Sequence, residues 1–451
     1  MKASRPPVLY RLLLRALSPL LFVQLVRHAL GDGGWRYFRE RLGMATADMS
    51  TTKTPVDIHT HRDPAGKATE TLWIHAASVG EVITAAPLVE ALMDRLPDWR
   101  VLISTNTPTG AATVAGRFDG RVEHAYLPID FPGACRRFLK RVSPTRALVV
   151  ETEIWPWLYA LAHERGIPIS IINARLSPKT RPRAGSWIAR GYQRALAGVG
   201  ILARSDADAE RFRHLGAEPE RVTVVGNLKF AGMPIAFATN NAPSPVPRPY
   251  VLAASTHKGE ELAITRAWLT QLDEKTSGTN GDASITASNP LLVFVPRYPE
   301  RGSEIQHALA TLGVKAGRRS LDPGIQSDER VHIADTLGEL PLWYRHAAAS
   351  FVGGSLMKRG GQNMIEPLVA GSPTVVGPIT YNFDDIMALL EAENAITVAA
   401  DATAVAGFLA AGRGQREAHP AHASQQAGFA RVRRHIGEVL PRYLEILLTD
   451  D

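Results

Sequence analysis

A glutamate stands where an apolar segment gives way to a helical pattern near residue 80. The apolar segment Leu72–Ala77 is followed by Ser78, Gly80 and Glu81. Gly80 allows a sharp turn and a close approach of a ligand to the backbone, and Ser78 can cap the helix. Open α/β sheets bind ligands at the carboxyl ends of their strands, so Glu81 can act there as a general base. The alternative is that Glu81 only complements the positive end of the helix dipole.

Further charged candidates follow other predicted strands. Glu151 and Glu153 come directly after the apolar segment Ala147–Val150, and carboxylates at this spacing on extended chain point the same way. Lys229 follows a later strand and can reach a phosphate as a point charge. Arg297 follows a strand of the second half and is a fork donor for phosphate or carboxylate. Ordinary loop acids, a solvated lysine and a surface ion pair are the competing interpretations.

Two glycine pairs lie near a predicted helix start. Gly353-Gly354 ends a predicted strand, and Gly360-Gly361 precedes a helix predicted from Met364. Backbone amides in such a turn can form a phosphate cradle, and Glu366 can accept hydrogen bonds from ribose hydroxyls. The alternative is a tight turn with a structural glutamate. Neither the Walker pattern nor a spaced GxGxxG is present, so ATPases and dinucleotide-binding enzymes lack their signature here.

Two other strand ends are expected to start helices that can hold an anion. We expect Ser255 or Thr256 to cap a helix that begins at Glu260. We expect Asp335 or Thr336 to cap a second helix, which leaves backbone N–H groups near residues 337–339 for a ligand. Plain capped helices, with a capping box at the second site, are the alternatives.

The elements that would position these residues alternate between strands and helices. Short apolar strands separated by helices indicate βαβ units with right-handed crossovers and parallel sheets. The predicted strands are Leu72–Ala77, Val101–Thr105, Val122–Leu127, Ala147–Val150, Ile167–Ile172, Gly200–Ala203, Val222–Val225, Tyr250–Ala254, Leu291–Val295, Val331–Ile333, Ala349–Val352 and Thr374–Val376. The proline-rich stretch 232–249 reads as a semi-stiff linker. We therefore expect an N-terminal helical segment at 1–43 and two doubly wound domains, at 44–231 and 250–451.

Composition narrows the class of partner. The chain has 451 residues and a net charge of +7, which suits an anionic partner such as a phosphorylated substrate or a membrane surface. The charge is not gathered in a long Lys/Arg tail, so we expect no nucleic-acid partner. The single cysteine, Cys135, excludes an internal disulfide and a cysteine-based metal cluster. We expect no metal site.

The N-terminal segment Val8–Leu30 is rich in Leu, Val and Phe but contains Arg11, Arg15 and Arg27. Its longest uncharged part, Ala16–Val26, is shorter than the roughly 20 residues of a membrane span. We therefore expect a helix that lies in or on a bilayer, with its arginines at anionic head groups. A helix docked on the protein itself is the alternative.

Motifs spread over both halves occur together in one order. They are Ser78-Val79-Gly80-Glu81, Glu151-Thr152-Glu153-Ile154-Trp155-Pro156, Asn173-Ala174-Arg175-Leu176-Ser177, Gly226-Asn227-Leu228-Lys229, Pro296-Arg297, and Arg359-Gly360-Gly361 with Asn363 and Glu366. This set resembles the 3-deoxy-D-manno-octulosonic acid (Kdo) transferases of lipopolysaccharide synthesis, over nearly the whole chain. The resemblance implies a GT-B glycosyltransferase fold, with two Rossmann-like domains facing a central cleft. It also implies CMP-Kdo as donor, a lipid A precursor (lipid IVA) as acceptor, inversion at the anomeric carbon, no cofactor, and a place on the cytoplasmic face of the inner membrane.

The resemblance also implies roles for individual residues. Glu81 matches the family's proton acceptor, and Glu151 and Lys229 match positions of transition-state stabilisation. The positions that match contacts to CMP are Pro296, Arg297, Leu337, Gly338, Glu339, Asn363, Met364, Ile365 and Glu366. Residues 44–231 would then bind the acceptor, and residues 250–451 would bind the CMP-sugar.

Four residues depart from the family's pattern. Tyr298 and Gln362 stand where His is frequent, Leu337 where Met is frequent, and Ala231 where an acid often follows the phenylalanine. These departures bear on the fine contacts to the donor. Two other functions stay open on sequence grounds: a GT-B enzyme that uses a UDP-sugar, and a non-catalytic nucleotide- or lipid-binding protein.

Overall fold

The computed structural model describes residues 6–44, 70–177, 187–232, 242–276, 290–322, 324–326 and 329–449. The chain forms two compact units. The first unit comprises Met1–Met233 together with Ile436–Asp451, and the second comprises Pro234–His435. Residues 233–241 of the expected linker lie outside the described residues.

The first unit is built on one parallel sheet. Its strands are β1 (Thr71–His75), β2 (Arg100–Thr105), β3 (Glu123–Tyr126), β4 (Arg146–Val150), β5 (Ile169–Ala174), β6 (Gly200–Ala203) and β7 (Val222–Val224). They lie in the order β3-β2-β1-β4-β5-β6-β7. The inner strands are apolar and buried because helices cover both faces of such a sheet. The strand order reverses between β1 and β4, which makes their carboxyl ends the ligand-binding edge expected for this topology.

Eight helices of the described residues accompany this sheet. They are α1 (Val8–His28), α2 (Gly34–Arg41), α3 (Val79–Arg95), α4 (Pro108–Phe118), α5 (Pro132–Val142), α6 (Pro156–His163), α7 (Trp187–Leu196) and α8 (Asp206–Leu215). Three of them begin at a side-chain cap: Ser78 for α3, Thr107 for α4 and Ser205 for α8.

Helix α1 exposes most of its apolar side chains. Leu12, Leu17 and Leu20 are 54%, 50% and 65% exposed. The helical stretch Val8–Gly31 has 24 residues and contains an 18-residue part with a mean hydropathy of 1.5, so by length and composition it can cross a membrane. The helix that we expected to lie in or on a bilayer is therefore also long enough to span one. Its polar contacts to the first unit include one from the Tyr10 hydroxyl to Asp130.

The second unit repeats the architecture. Its strands are β8 (Tyr250–Thr256), β9 (Leu291–Pro296), β10 (Ala316–Arg318), β11 (Val331–Ile333), β12 (Ser350–Val352), β13 (Thr374–Val376) and β14 (Thr397–Val398). They form a parallel sheet in the order β10-β11-β9-β8-β12-β13-β14. The order reverses between β8 and β12, so the turns that follow these strands occupy the corresponding edge.

The helices of the second unit follow the predicted alternation. They are α9 (Glu260–Thr276), α10 (Gly302–Ala310), α11 (Leu340–His346), α12 (Ile365–Val369), α13 (Asp384–Ala392) and α14 (Ala402–Ala411). All twelve strands predicted from the sequence are present, with ends that differ by a few residues. The short edge strands β10 and β14 were not predicted, because neither contains an apolar run.

The last helix, α15 (His422–Thr449), ends in the first unit. Tyr443 is fully buried there. Its hydroxyl accepts a hydrogen bond from the backbone N–H of Asn173 at 3.0 Å and lies 3.1 Å from the carbonyl of Gly226. The sequence-based boundary, which assigned 250–451 to one domain, therefore differs from the packing: residues from Ile436 onward belong to the first unit.

Candidate active site

Glu81 lies in the first turn of α3, directly beyond β1. Ser78 is the N-cap of this helix, and its hydroxyl accepts a hydrogen bond from the Glu81 N–H at 3.4 Å. The Glu81 carboxylate turns back and accepts the N–H of Ala77 through Oε2 at 2.5 Å. The strand, the cap and this returning bond fix the carboxylate at the switch point of the first sheet.

The Glu81 carboxyl has an unusual affinity for protons. Its pKa is raised to about 7, mainly because burial penalises the charged form. The negative charges of Glu153 and Glu151 add to the rise, while hydrogen bonds from Ala77 N–H and Ser78 oppose it. A carboxyl with this pKa is half ionised near neutral pH and strong enough as a base to remove a hydroxyl proton during bond formation.

Glu151 follows β4 in a strained conformation. Its φ is 62°, in the left-handed region that non-glycine residues rarely adopt. Its backbone N–H donates to the carbonyl of Ile172 at 2.9 Å, and Arg175 Nη1 lies 3.5 Å from its Oε2. Strain of this kind is concentrated at functional sites, where the surrounding structure holds it in place.

Glu153 is the third carboxylate of this edge. Burial raises its pKa, but the interactions with His75, Trp155 and Asn106 outweigh burial and lower the pKa overall. Asn106 Nδ2 is 3.4 Å from Oε2, and His75 Nε2 is 3.7 Å from the same atom. Glu153 therefore stays ionised and keeps a negative charge beside Glu81.

His75, at the end of β1, was not assigned a role from the sequence. Its ring is 1% exposed, and its Nδ1 lies 3.0 Å from both the carbonyl and the hydroxyl of Ser104. Because the carbonyl can only accept, Nδ1 carries a hydrogen, and Nε2 is left to face Glu153. The sequence did contain a signal for this residue: a histidine at the end of an apolar segment, six residues before the candidate base Glu81.

Lys229 lies in a short helical turn after β7. Asn227 caps this turn by accepting the Lys229 N–H at 3.1 Å, and the Oδ1 of Asn173 accepts the N–H of Leu228 at 3.1 Å. The turn packs against α3, with Leu228 and Val82 in one buried cluster. The Lys229 side chain is exposed and forms no ion pair within the described residues.

In the second unit, Pro296 and Arg297 stand at the end of β9. Pro296 is buried, whereas the Arg297 side chain is exposed. The Arg297 N–H donates to the carbonyl of Thr256 at 3.1 Å, which ties the ends of β8 and β9 together. Its guanidinium lies 5.6 Å from the ring centre of Tyr298. The side chain is held over an aromatic ring without an acidic partner among the described residues, as an anion ligand needs.

The first glycine pair differs from the expected phosphate cradle. The carboxylate of Glu260, which is fully buried, accepts the N–H groups of Gly354 at 2.9 Å, Leu356 at 3.0 Å and His257 at 2.8 Å. These amides are satisfied by the protein itself. A Cβ at Gly353 would lie 2.5 Å from the carbonyl oxygen of Ser255, so only glycine fits this close approach.

The capping predicted for α9 and α11 was wrong. Helix α9 begins after Gly259, and the Thr256 hydroxyl donates to Glu261 instead of capping. Asp335 accepts hydrogen bonds from Ser320 and Arg318, and α11 begins only at Leu340. Local spacing indicated caps here, but Thr256 binds a nearby glutamate side chain and Asp335 binds residues of a different segment.

The expected CMP-contacting run after β11 is exposed at its start. Leu337 is 84% exposed, and Gly338 has a φ of 83°. Glu339 is held by Thr336 and by Arg319, whose Nη2 lies 3.0 Å from Oε1. The hydrogen bond from Arg319 lowers the pKa of the Glu339 carboxyl.

The second glycine pair leads into the run 363–366. Gly360 and Gly361 both have left-handed φ values, 85° and 81°. Asn363 accepts the N–H of Ile365 at 3.0 Å and donates to Glu366 Oε1 at 2.9 Å. Burial raises the pKa of Glu366, and the bond from Asn363 opposes this. Met364 and Ile365 are buried, so the polar groups of Asn363 and Glu366 are the side chains that a ligand can reach.

The structure thus gathers the candidates into two clusters. In the first unit the charges of Glu151 and Glu153 raise the pKa of Glu81, and Lys229 lies on a turn that packs against α3. In the second unit the ends of β8, β9 and β12 meet, where His257 packs on Tyr298 and lies 3.2 Å from Gln362. Within the described residues no group of three or more His, Cys, Asp or Glu side chains is placed to hold a metal ion.

Comparison with known proteins gives the family. The chain is 38% identical over 394 residues to a 3-deoxy-D-manno-octulosonic acid transferase of Bordetella pertussis, covering 83% of this chain and 84% of that protein. The chain belongs to the Kdo transferase family. The family model described as 3-Deoxy-D-manno-octulosonic-acid transferase (kdotransferase) matches residues 36–232.

Other comparisons agree with this Kdo transferase assignment. A transferase of the same name from Haemophilus influenzae is 35% identical over 71% of this chain and 73% of that protein. The C-terminal CMP-Kdo binding domain of WaaA from Acinetobacter baumannii is 34% identical, covering 43% of this chain and 89% of that domain, with a TM-score of 0.35. The assignment rests on the sequence identity to the Bordetella pertussis and Haemophilus influenzae transferases. As a Kdo transferase, the chain is a glycosyltransferase of lipopolysaccharide biosynthesis, and its two doubly wound units confirm the predicted GT-B fold class.

Proposed function

We propose that this enzyme transfers Kdo from CMP-Kdo to a lipid A precursor, lipid IVA, with inversion at the anomeric carbon and release of CMP. The observation that carries the proposal is the Glu81 carboxyl, with its pKa near 7 at the switch point of the first sheet. Enzymes tune a general base toward neutral pH by burial and by neighbouring charge, and both are present here.

The reaction needs one proton acceptor. The ionised Glu81 takes the proton of an acceptor sugar hydroxyl, and that oxygen forms a bond to the anomeric carbon of Kdo. The bond between that carbon and the phosphate oxygen of CMP breaks on the opposite face, and CMP leaves with the electron pair. A phosphate leaving group needs little protonation, so a second acid is not required, in contrast to the paired acids of glycosidases.

Glu151 and Lys229 of the first unit stabilise the transition state. Positive charge develops on the sugar ring, and the Glu151 carboxylate, fixed by its backbone conformation, offers the opposite charge. Lys229, exposed and without an ion pair among the described residues, offers a cation to the departing phosphate.

The second unit supplies the nucleotide contacts. Arg297 is the exposed cation for the phosphate, beside Pro296. Glu366 can accept ribose hydroxyls through the oxygen that Asn363 leaves open, with the backbone of Met364 and Ile365 alongside. The run Leu337-Gly338-Glu339, of which Leu337 and Gly338 are exposed, provides the third contact region.

The proposed location is the cytoplasmic face of the inner membrane, with α1 as the anchor. Its exposed leucines and its arginines match an apolar interior and anionic head groups. Deleting residues 1–30 should move the enzyme from the membrane fraction to the soluble fraction. Unchanged membrane association would remove α1 from this role.

The test of the reaction is mass spectrometry of the product made from CMP-Kdo and tetraacylated lipid A precursor. The proposal predicts an acceptor whose mass has increased by one or more Kdo units, together with free CMP. Absence of both, with a UDP-sugar transferred instead, would replace the proposed donor. Glu81→Ala should abolish transfer while CMP binding is retained; turnover by this variant would remove Glu81 from its role.

A further inference from the structure

A cavity of about 400 Å³ lies in the first unit, and part of its wall directly follows Glu153 in the chain. Its walls come from the start of α1, from the segment that leads into α6, and from α7. The lining residues are Pro7, Tyr10, Ile154, Trp155, Pro156, Gly191, Tyr192 and Ala195. The volume falls within the range of about 300–1,000 Å³ for small-ligand pockets.

The walls of the cavity are apolar. Proline, isoleucine, alanine and aromatic rings make up its surface. The polar atom of Tyr10 is already occupied, since its hydroxyl donates to Asp130 Oδ2 at 2.6 Å and leaves the ring to line the cavity. The other oxygen of Asp130 accepts the N–H of Leu158, so this buried carboxylate joins α1 to the start of α6. An occupant of such a cavity is a hydrocarbon group, because polar groups would lose their hydrogen bonds there.

One wall continues into α1, the proposed membrane anchor. Pro7 and Tyr10 lie at the end of α1 from which the exposed side chains of Leu9, Leu12 and Leu13 extend. A hydrocarbon chain can therefore extend from these leucines toward the cavity.

Another wall continues into the proton-accepting cluster. Ile154 and Trp155 come directly after Glu153 in the chain. The charge of Glu153 in turn contributes to the raised pKa of Glu81. The segment 151–156 thus carries two carboxylates of the cluster and part of the cavity wall.

We propose that this cavity holds one acyl chain of the lipid acceptor. The assignment rests on the proposed function in one respect, that the acceptor is an acylated glycolipid. Each methylene buried in the cavity contributes about fourfold to affinity, so the cavity also selects acylated over deacylated acceptors.

Gly191 offers a way to fill the cavity without disturbing the backbone. It lies inside α7, and a Cβ there would meet its nearest neighbour, Pro7 Cγ, at an ordinary 3.6 Å. Replacing a glycine inside a helix also improves helix propensity. Gly191→Leu should therefore occupy the cavity, and Gly191→Ala should occupy less of it. Gln193→Leu, at an exposed position of the same helix, is the matched control.

The first measurement is kcat/KM for the tetraacylated precursor divided by kcat/KM for its O-deacylated form. Displacing two or three methylenes should lower this ratio by more than about tenfold in Gly191→Leu and less in Gly191→Ala. The control Gln193→Leu should keep the wild-type ratio. A wild-type ratio in Gly191→Leu, with an unchanged thermal midpoint, would overturn the assignment.

The second measurement needs no turnover and no variant. The tetraacylated precursor carrying a diazirine in one acyl chain is photolysed with the full-length enzyme, and adducts are mapped by mass spectrometry. Adducts on 154–156 or 191–195 that excess unlabelled precursor removes support the proposal. Adducts confined to the outer face of α1, or equal labelling by a diazirine phosphatidylethanolamine that the precursor does not displace, would overturn it. Because no transfer is required, failure of this labelling is distinguishable from failure of the proposed reaction.

Discussion

The carboxyl edges of the two sheets share a topology but treat their acidic residues in opposite ways. At the edge of the first sheet, Glu81, Glu151 and Glu153 lie close enough to raise the pKa of one of them. At the edge of the second sheet, Glu260 is bound by three backbone N–H groups, and Glu261 is paired with Arg301 at 2.8 Å. Glu260 and Glu261 therefore stabilise the turns at this edge. In the first unit, Glu81 can instead accept a proton.

This difference separates chemistry from recognition. Like charges and burial make Glu81 a base, at the cost of an unfavourable charged form. In the second unit, hydrogen bonds and an ion pair make Glu260 and Glu261 structural, and Arg297 is an exposed cation. The same topology thus supports proton transfer in one unit and nucleotide recognition in the other. The partners of the acidic residues make the difference, since topology alone does not determine function.

The largest effect is expected from removing the base. Glu81→Gln keeps the size of the side chain and an oxygen for the Ala77 N–H, but it cannot accept a proton. We expect kcat to fall by about 10²–10⁴-fold, the usual contribution of a general base, with CMP affinity unchanged. Steady-state kinetics and calorimetric CMP titration measure the two. Glu90→Gln, on the same helix, is the control and should retain activity.

The next effect tests the structural role of the acids in the second unit. Glu260→Ala leaves three buried N–H groups without their acceptor, each of which costs about 1–3 kcal/mol. We expect a clear fall in the thermal midpoint and weaker CMP binding, because the turn at Gly354 loses its support. Glu300→Ala, at an exposed position nearby, should change neither. A stable Glu260→Ala variant with wild-type CMP affinity would contradict the contrast between the edges.

A smaller effect is expected from changing the neighbour of the base. Glu153→Gln removes a negative charge that raises the pKa of Glu81. The pKa of Glu81 should then fall toward its ordinary value, and the acidic limb of the kcat/KM profile should move to lower pH. A limb that stays in place would show that the charge of Glu153 does not contribute to the proton affinity of Glu81.

The smallest effect concerns stability. Since the folded-state pKa of Glu81 is about 7 and its ordinary value is 4.5, the folded protein binds more protons than the unfolded chain between these pH values. The contribution of Glu81 to the free energy of unfolding therefore falls as pH rises through this window. Glu81→Gln should raise the thermal midpoint relative to wild type at pH 8 and have little effect at pH 4. An equal shift at both pH values would be inconsistent with a raised pKa.

The sequence revealed the parts that depend on local pattern. Apolar segments marked the strands of both sheets, and Ser78 before Glu81 marked the start of α3 because capping is decided within four residues. The resemblance in motifs located the family. The edge strand β10, Ala316–Arg318, has no apolar run, so its pairing with β11 arises from the fold and not from its own residues.

Long-range partners were not visible in the sequence. Two contacts join residues far apart in the chain: His75 lies near Glu153, and Glu260 accepts the N–H of Gly354. The packing of Tyr443 in the first unit is of the same kind. Such contacts determine which carboxyl groups exchange a proton near neutral pH and which are structural. They cannot be predicted from the spacing of residues along the chain. The left-handed backbone of Glu151 could not be predicted from the sequence either.

The most direct test of the account is the pH dependence of kcat/KM for transfer to the acceptor, measured on wild type and on Glu81→Gln. The account predicts that wild-type activity rises with a midpoint near pH 7, and that the residual activity of the variant lacks this limb. A limb of the same midpoint in Glu81→Gln, or a wild-type midpoint near the ordinary 4.5 of a glutamate, would show that another group removes the acceptor proton.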